Sequence, residues 1–152
     1  MSLIKYKDYY IVFEEIPDKV TLAINLTNCQ NRCIGCHSPE LRENIGNVLN
    51  YAEIDKMIRN NMGINCVLFM GEGNDKEMLL TIAKYVKNVY NISVAVYSGR
   101  QDVENEFYSV FDYVKVGPYK KEFGPLNSKK TNQKLYQIID NEKIDITYKF
   151  WN

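Results

Sequence analysis

Apolar residues gather in five stretches of strand length: Val20–Leu26 (VTLAINL), Ile64–Met70 (INCVLFM), Ile92–Ser98 (ISVAVYS), Phe111–Gly117 (FDYVKVG) and Ile144–Phe150 (IDITYKF). Their Val, Ile, Phe and Tyr residues suit a pleated, half-buried surface. The second and third are almost continuously apolar, as expected of strands covered on both faces of a parallel sheet. Between them the period changes. Ile54, Met57 and Ile58 recur at helical spacing and predict a helix over Tyr51–Met62, with Asn50 and Glu53 as a capping box. Met78, Leu79, Ile82, Ala83, Val86 and Tyr90 form one face of a second helix over Asp75–Tyr90, for which Asn74 and Glu77 are the expected capping box. Ile4–Tyr6 and Tyr9–Phe13 suggest a short hairpin around Lys7-Asp8. Strand and helix alternate, which predicts an α/β fold with a mainly parallel sheet of βα units.

Composition narrows the classes. The chain has 152 residues, 45% hydrophobic and 25% charged, which fits a single globular domain over 1–152. Nineteen Lys and Arg balance nineteen Asp and Glu. That balance argues against nucleic-acid binding through bulk charge. No stretch of about 18 uncharged apolar residues predicts a membrane span. The opening MSLIKYKDYY carries charge and lacks an apolar signal-peptide core, so a reducing cytoplasm is expected. The four cysteines are therefore not assumed to pair.

In open α/β sheets, chemistry gathers in loops past the carboxyl ends of strands. Those loops are Thr27–His37, Gly71–Asp75, Gly99–Arg100 and Gly117–Tyr119. The first holds Cys29, Cys33 and Cys36 at C-x3-C-x2-C. Three thiolates so close together can hold one face of an iron–sulfur cluster, leaving one iron open to an exogenous ligand. Cys66, inside an apolar strand, is expected to be a packing thiol. A structural zinc site of three cysteines with His37 is the bland alternative. It is disfavoured because His37 abuts Cys36. Gly71–Asp75 alone would be a strand-to-helix turn with a cap, and Ser98-Gly99 a plain turn.

C-x3-C-x2-C directly after a first strand resembles the radical S-adenosylmethionine superfamily. Several stretches are similar to one branch, the activating proteins of anaerobic (class III) ribonucleoside-triphosphate reductase. They are EIPDKVTLAINLTNCQNRCIGCHSPEL, CVLFMGEGND, VAVYSG and FDYVKVGPYKKEFGPLNSKKTNQKLY, together running from about Glu15 to Tyr136. The resemblance implies a partial, open TIM-barrel-like core. It implies a 4Fe-4S cluster on Cys29, Cys33 and Cys36, and S-adenosyl-L-methionine on the open iron. It implies a low-potential electron donor such as flavodoxin, and a glycyl radical made on the large reductase subunit.

By the same resemblance Gly35 contacts adenine through its backbone, and His37 lines that pocket. Gly71, Glu72, Gly73 and Asp75 stand where the branch carries a Gly-Gly-acid motif for the methionine amino group. The order Gly-Glu-Gly leaves open whether Glu72 or Asp75 is the acid. Ser98 and Gly99 match a segment contacting ribose and methionine carboxylate. Lys120, Lys121, Lys129, Lys130 and Lys134 form either a solvated face or a docking surface for the reductase. Two rival functions stay open. One is a radical S-adenosylmethionine enzyme with another glycyl-radical protein or a small molecule as substrate. The other is a non-catalytic metal- or cluster-binding module, although a ferredoxin-like carrier would group four cysteines rather than three.

Overall fold

The computed structural model describes residues 4–27 and 46–151. They form one eight-stranded sheet: β1 (Ile4–Val12), β2 (Thr21–Leu26), β3 (Asn47–Leu49), β4 (Cys66–Met70), β5 (Ser93–Tyr97), β6 (Tyr113–Val116), β7 (Lys134–Ile139) and β8 (Glu142–Asp145). The spatial order is β3-β1-β2-β4-β5-β6-β7-β8. Three helices accompany it: α1 (Tyr51–Arg59), α2 (Lys76–Tyr90) and α3 (Asn105–Val110). None is long and apolar enough to cross a membrane.

The α/β class holds, but the sheet is mixed rather than mainly parallel. The β2-β4-β5-β6 pairings are parallel. The pairings of β1 with β2 and β3, of β6 with β7, and of β7 with β8 are antiparallel. β7 and β8 are too close in sequence for the crossover that parallel neighbours need. β7 and β8 are joined by Asp140 and Asn141, both at positive φ (50° and 67°), the conformation of a two-residue hairpin turn.

Three local expectations also change. The N-terminal hairpin is a single strand, β1, whose register with β2 shifts between Tyr6 and Asp8. Lys7 is the extra residue of a bulge, so the irregularity bends the strand without reversing it. The expected strand Ile144–Phe150 stops at Asp145, and Thr147–Phe150 is a 3-10 turn. Asp145 Oδ1 accepts from the Thr147 amide at 2.9 Å and hydroxyl at 2.6 Å, a side-chain turn that competes with the ladder. Asn50 caps α1 as expected, accepting from the Glu53 amide at 2.9 Å. The Glu53 carboxylate accepts from the Tyr6 hydroxyl at 2.7 Å and so ties α1 to β1. α2 is capped by Asp75, not Asn74: its Oδ1 accepts from the Met78 amide at 3.0 Å.

Side chains alternate across the sheet, so each strand feeds two different cores. Leu22, Ile24, Val67, Phe69, Val94, Val96 and Val114 pack with the helices, against Ile54, Met57, Leu79, Ile82 and Val86. Ala23, Cys66, Leu68, Ala95 and Tyr113 face the other way. They are covered by Ile16, Leu135 and Ile146, with Leu126 and Phe150 beside them. The helix side thus takes the larger groups and the opposite side mostly smaller ones. Asp55 joins α1 to α2 by accepting from the Tyr85 hydroxyl at 2.9 Å and the Tyr90 hydroxyl at 2.6 Å.

Cys66 is fully buried at the start of β4, the amino end of the parallel quartet. A five-residue strand spans about 15 Å, so Cys66 lies well away from the carboxyl end, where Thr27 leads into the cysteine motif. Burial pushes its thiol up to about 12 from an ordinary 9. A raised folded value means that this contribution to stability is complete below about pH 9 and is lost as pH rises toward 12. In a variant with Cys29, Cys33 and Cys36 changed to Ser, iodoacetamide near pH ~8 should leave Cys66 unmodified until urea unfolds the chain. Rapid labelling of the folded protein would contradict a packing role.

Candidate functional site

The carboxyl ends of the four parallel strands bring the Gly71–Asp75 and Ser98-Gly99 segments side by side. The ladders continue one step into the loops. The Gly71 amide donates to the Tyr97 carbonyl at 2.9 Å, and the Ser98 amide to the Lys115 carbonyl at 2.8 Å. Gly71 has φ +94°, a conformation open essentially to glycine. That turn sends the Glu72 side chain inward, where it is 1% exposed, while Ser98 beside it is fully buried.

Arg100 completes the cluster. Glu72 Oε1 accepts from Arg100 Nη2 at 2.6 Å, and Oε2 from Nε at 2.9 Å. Oε2 also accepts from the Ser98 hydroxyl at 2.6 Å, whose own oxygen accepts from the Arg100 amide at 3.0 Å. The outer edge of the guanidinium bonds Glu104 at 2.9 and 2.7 Å, one residue before α3, and lies 5.8 Å from the Phe107 ring centre. Lys76, in the first turn of α2, stands 3.8 Å from Glu104. The carboxylates of Glu104 and Glu72 hold the Arg100 guanidinium above its ordinary range. Arg100 in turn brings Glu104 down to about 2. A buried carboxylate is tolerable here because a bidentate cation and a hydroxyl replace its water.

A second row crosses the sheet at the same end, on the face away from the helices. Successive registers align Asp8, Asn25, Met70, Tyr97 and Lys115. Asn25 Nδ2 donates to Asp8 Oδ1 at 2.6 Å. The Lys115 ammonium lies 5.5 Å from the Tyr97 ring centre and donates to the Ser98 carbonyl at 3.3 Å. The Tyr97 hydroxyl donates to the Glu15 carbonyl. Burial, reinforced by Glu15, raises Tyr97 well above the usual phenol range, so it stays a neutral donor.

The expected site residues therefore divide. Gly71, Glu72, Gly73, Ser98 and Gly99 are neighbours, and the Glu72–Ser98 bond joins the two loops directly. The Asp75 carboxylate is used as the cap of α2. Cys29, Cys33, Gly35, Cys36 and His37 lie outside the described residues. The chain leaves for that segment at Thr27, whose amide donates to the Lys5 carbonyl at 2.9 Å, and is described again from Gly46. Leu26 and Asn47 both pair with Tyr6, so the segment's flanks are about two strand spacings, roughly 10 Å, apart. Among the described residues no three His, Cys, Asp or Glu side chains are grouped to hold a metal ion. Arg100, Glu104 and Lys115 were not among the expected site residues. Lys115 had left a signal, as a cation inside the apolar run FDYVKVG.

No family model, no curated protein and no solved structure matches this chain.

Arg100→Ala should strand the Glu72 carboxylate and cost on the order of 3 kcal/mol, read by urea denaturation. Glu72→Gln keeps two acceptor–donor contacts and leaves Arg100 paired with Glu104, so it should cost less. Equal, negligible losses would show that the pair constrains nothing. The lowered Glu104 carboxyl has a pH signature. Its contribution is present above about 4.5 and is lost as pH falls toward 2, so Glu104→Gln should flatten acid unfolding in that window.

Proposed function

We propose that this chain is a radical S-adenosylmethionine activating enzyme that installs a glycyl radical on the large subunit of anaerobic (class III) ribonucleoside-triphosphate reductase. The observation that carries the reading is C-x3-C-x2-C, beginning at Cys29 just past the carboxyl end of β2. Beside that end, on β4 and β5, lie a glycine-flanked carboxylate and a Ser-Gly turn. In this reading the parallel quartet β2-β4-β5-β6 is the partial, open barrel of a radical S-adenosylmethionine core, and the antiparallel flanks are its extensions.

The donor set fits the group. Three thiolates suit a 4Fe-4S cluster with one iron left open, and no neutral ligand need compete for it. Cys29, Cys33 and Cys36 would hold that cluster. When bound, it would supply one electron to the sulfonium of S-adenosylmethionine, so that the fragment released takes a hydrogen atom from a backbone glycine of the reductase. The chain's own residues bind and orient. Gly71, where an added Cβ would meet nothing within 4 Å, leaves one side of the β4 turn open, while Gly73 packs the turn against Ile4 and Leu26. Glu72, held by Arg100 and Ser98, gives that turn its buried carboxylate, and Asp75 caps α2. Ser98 and Gly99 close the adjoining side. Gly35 and His37 would face adenine. A low-potential donor such as flavodoxin would reduce the cluster.

Anaerobic reconstitution with iron and sulfide should load about four irons. Reduction with S-adenosylmethionine should then give 5′-deoxyadenosine. Changing Cys29, Cys33 or Cys36 to Ala should abolish that product, and Cys66→Ala should leave it nearly intact. Mixing with the reductase of the same organism should give a glycyl radical by electron paramagnetic resonance. Stoichiometric zinc with no cluster formed would favour a structural metal module. Cofactor cleavage without a reductase radical would favour another substrate for the same chemistry.

The acid can be separated from the cap. Glu72→Gln should weaken S-adenosylmethionine binding about tenfold, the scale of one charge-assisted contact, and Asp75→Asn far less. Calorimetric titration of the reconstituted protein measures both. The reverse order would transfer the contact to Asp75.

A further inference from the structure

Between β6 and β7 the chain makes a long excursion, 117–133, that begins and ends at the carboxyl end of β6, because Val116 pairs with Lys134. It is tied down at both ends and in the middle. Asn132 Nδ2 donates to the Pro118 carbonyl at 2.9 Å, and Gln133 Nε2 to the Gly117 carbonyl at 3.3 Å. Thr131 Oγ1 donates to the Gly124 carbonyl at 3.2 Å, and the Trp151 indole to the Leu126 carbonyl at 3.1 Å. Gly117, at φ +99°, admits the return strand: a Cβ there would stand 3.0 Å from the Asn132 carbonyl oxygen.

This held segment displays cations. Lys120, Lys121, Lys129, Lys130 and Lys134 are all exposed, against the single carboxylate of Glu122. Elsewhere the chain must carry the opposite excess, since its charges balance overall at nineteen each. Among the described residues none of the five forms an ion pair within 4.0 Å, whereas Lys76, Lys87, Arg100 and Lys149 all do. Phe123 lies among them, 41% exposed. An exposed aromatic ring on a held segment rich in unspent positive charge has the make-up of a protein interface: an aromatic anchor, charged neighbours in the chain and little ordering to be done on binding.

We infer that the 117–133 excursion, with Lys134, is the docking surface for an acidic patch on the protein whose glycine is activated. This rests on the proposed function, and it names the surface through which that partner is met. The location is apt, because the excursion begins beside the Glu72 cluster, the Gly117 amide donating to the Arg100 carbonyl at 2.6 Å, on the same edge of the sheet as the carboxyl end of β2 three strands away. Lysines so placed steer a large acidic partner toward the site, within a screening length of about 8 Å at physiological salt. The net charge of zero argues for a local protein patch over a polyanion that would need a basic surface throughout.

The test uses the full reconstituted chain and the anaerobic reductase of the same organism. The variant carries Lys120→Glu, Lys121→Glu, Lys129→Glu and Lys130→Glu. Without reductase, it should form 5′-deoxyadenosine at the wild-type rate, which also shows that it is folded. Its association with reductase should slow by about tenfold or more, and its rate should lose the decline with salt that wild type shows. Phe123→Ala alone should speed dissociation without changing the salt dependence, and it serves if the fourfold variant fails to fold. Wild-type association and salt dependence in both variants, with cofactor cleavage intact, would overturn the docking surface and leave the proposed function standing. Failure of wild type to form 5′-deoxyadenosine would remove the proposed function and this inference with it. Lysine-dependent binding of a DNA duplex, with reductase association unchanged, would reassign the surface to nucleic acid.

Discussion

The Glu72–Arg100 pair is the constraint on which the carboxyl end of the sheet depends. A carboxylate that is 1% exposed must have its lost water replaced. Its replacements come from two places, the Ser98 hydroxyl on the β5 loop and the Arg100 guanidinium beyond it. Arg100 in turn is held by Glu104 next to α3, and Glu104 faces Lys76 on α2. One buried charge thus fixes the relative positions of two strand ends and two helices. Hydrophobic packing alone is non-directional and would not specify those angles.

The two faces of the sheet do different work for the same reason of alternation. On one, Leu22, Ile24, Phe69 and Val96 interlock with the helices and supply most of the apolar burial. On the other, Ala23, Leu68 and Ala95 are covered by Ile16, Leu135 and Ile146, and at the carboxyl end the row turns polar through Asn25, Tyr97 and Lys115. Fixed polar groups therefore stand on both faces at that end: this row on one, and the Glu72–Arg100–Glu104 cluster beside α2 and α3 on the other.

Much of this arrangement was legible in the chain. The four parallel strands and the two longer helices follow from runs such as INCVLFM and from the spacing of Ile54, Met57 and Ile58. The flanks were not, because their signals are local. Glu142–Asp145 is wholly exposed and presents no apolar pattern, and only the Asp140-Asn141 turn marks its hairpin. Lys7 looks like a turn residue because a bulge and a turn disturb the alternation alike. At the site, the glycines and Glu72 were visible as a motif, but that Asp75 caps α2 while Glu72 is buried against Arg100 and Ser98 needed geometry. Asp75 starts a helix, and an unpaired helix amide claims its carboxylate first. The role of Arg100 was invisible, since nothing along the chain indicates that a residue 28 positions from Glu72 becomes its main partner.

The loops at this end are stitched crosswise rather than hung separately. The Gly71 amide bonds to β5, the Ser98 amide to β6, and the Gly117 amide returns to the Arg100 carbonyl at 2.6 Å. Each bond links a loop to the strand or loop beside it, so the set closes on Arg100, which is also the cation for Glu72. A change at residue 72 is therefore felt at residue 117, where the lysine-bearing excursion begins. Effects of substitutions at the two places should not add, because they share a partner. The coupling runs through bonds that differ in kind. Losing the carboxylate removes a charge pair but leaves the three backbone bonds. Straining Gly117 disturbs the backbone but leaves the ion pair. Under the proposed function, affinity for S-adenosylmethionine should therefore follow residue 72 more closely than association with the proposed reductase does, and that association should follow Gly117 more closely than the affinity does. A single ligand contact with no crosswise frame around it would produce no such division.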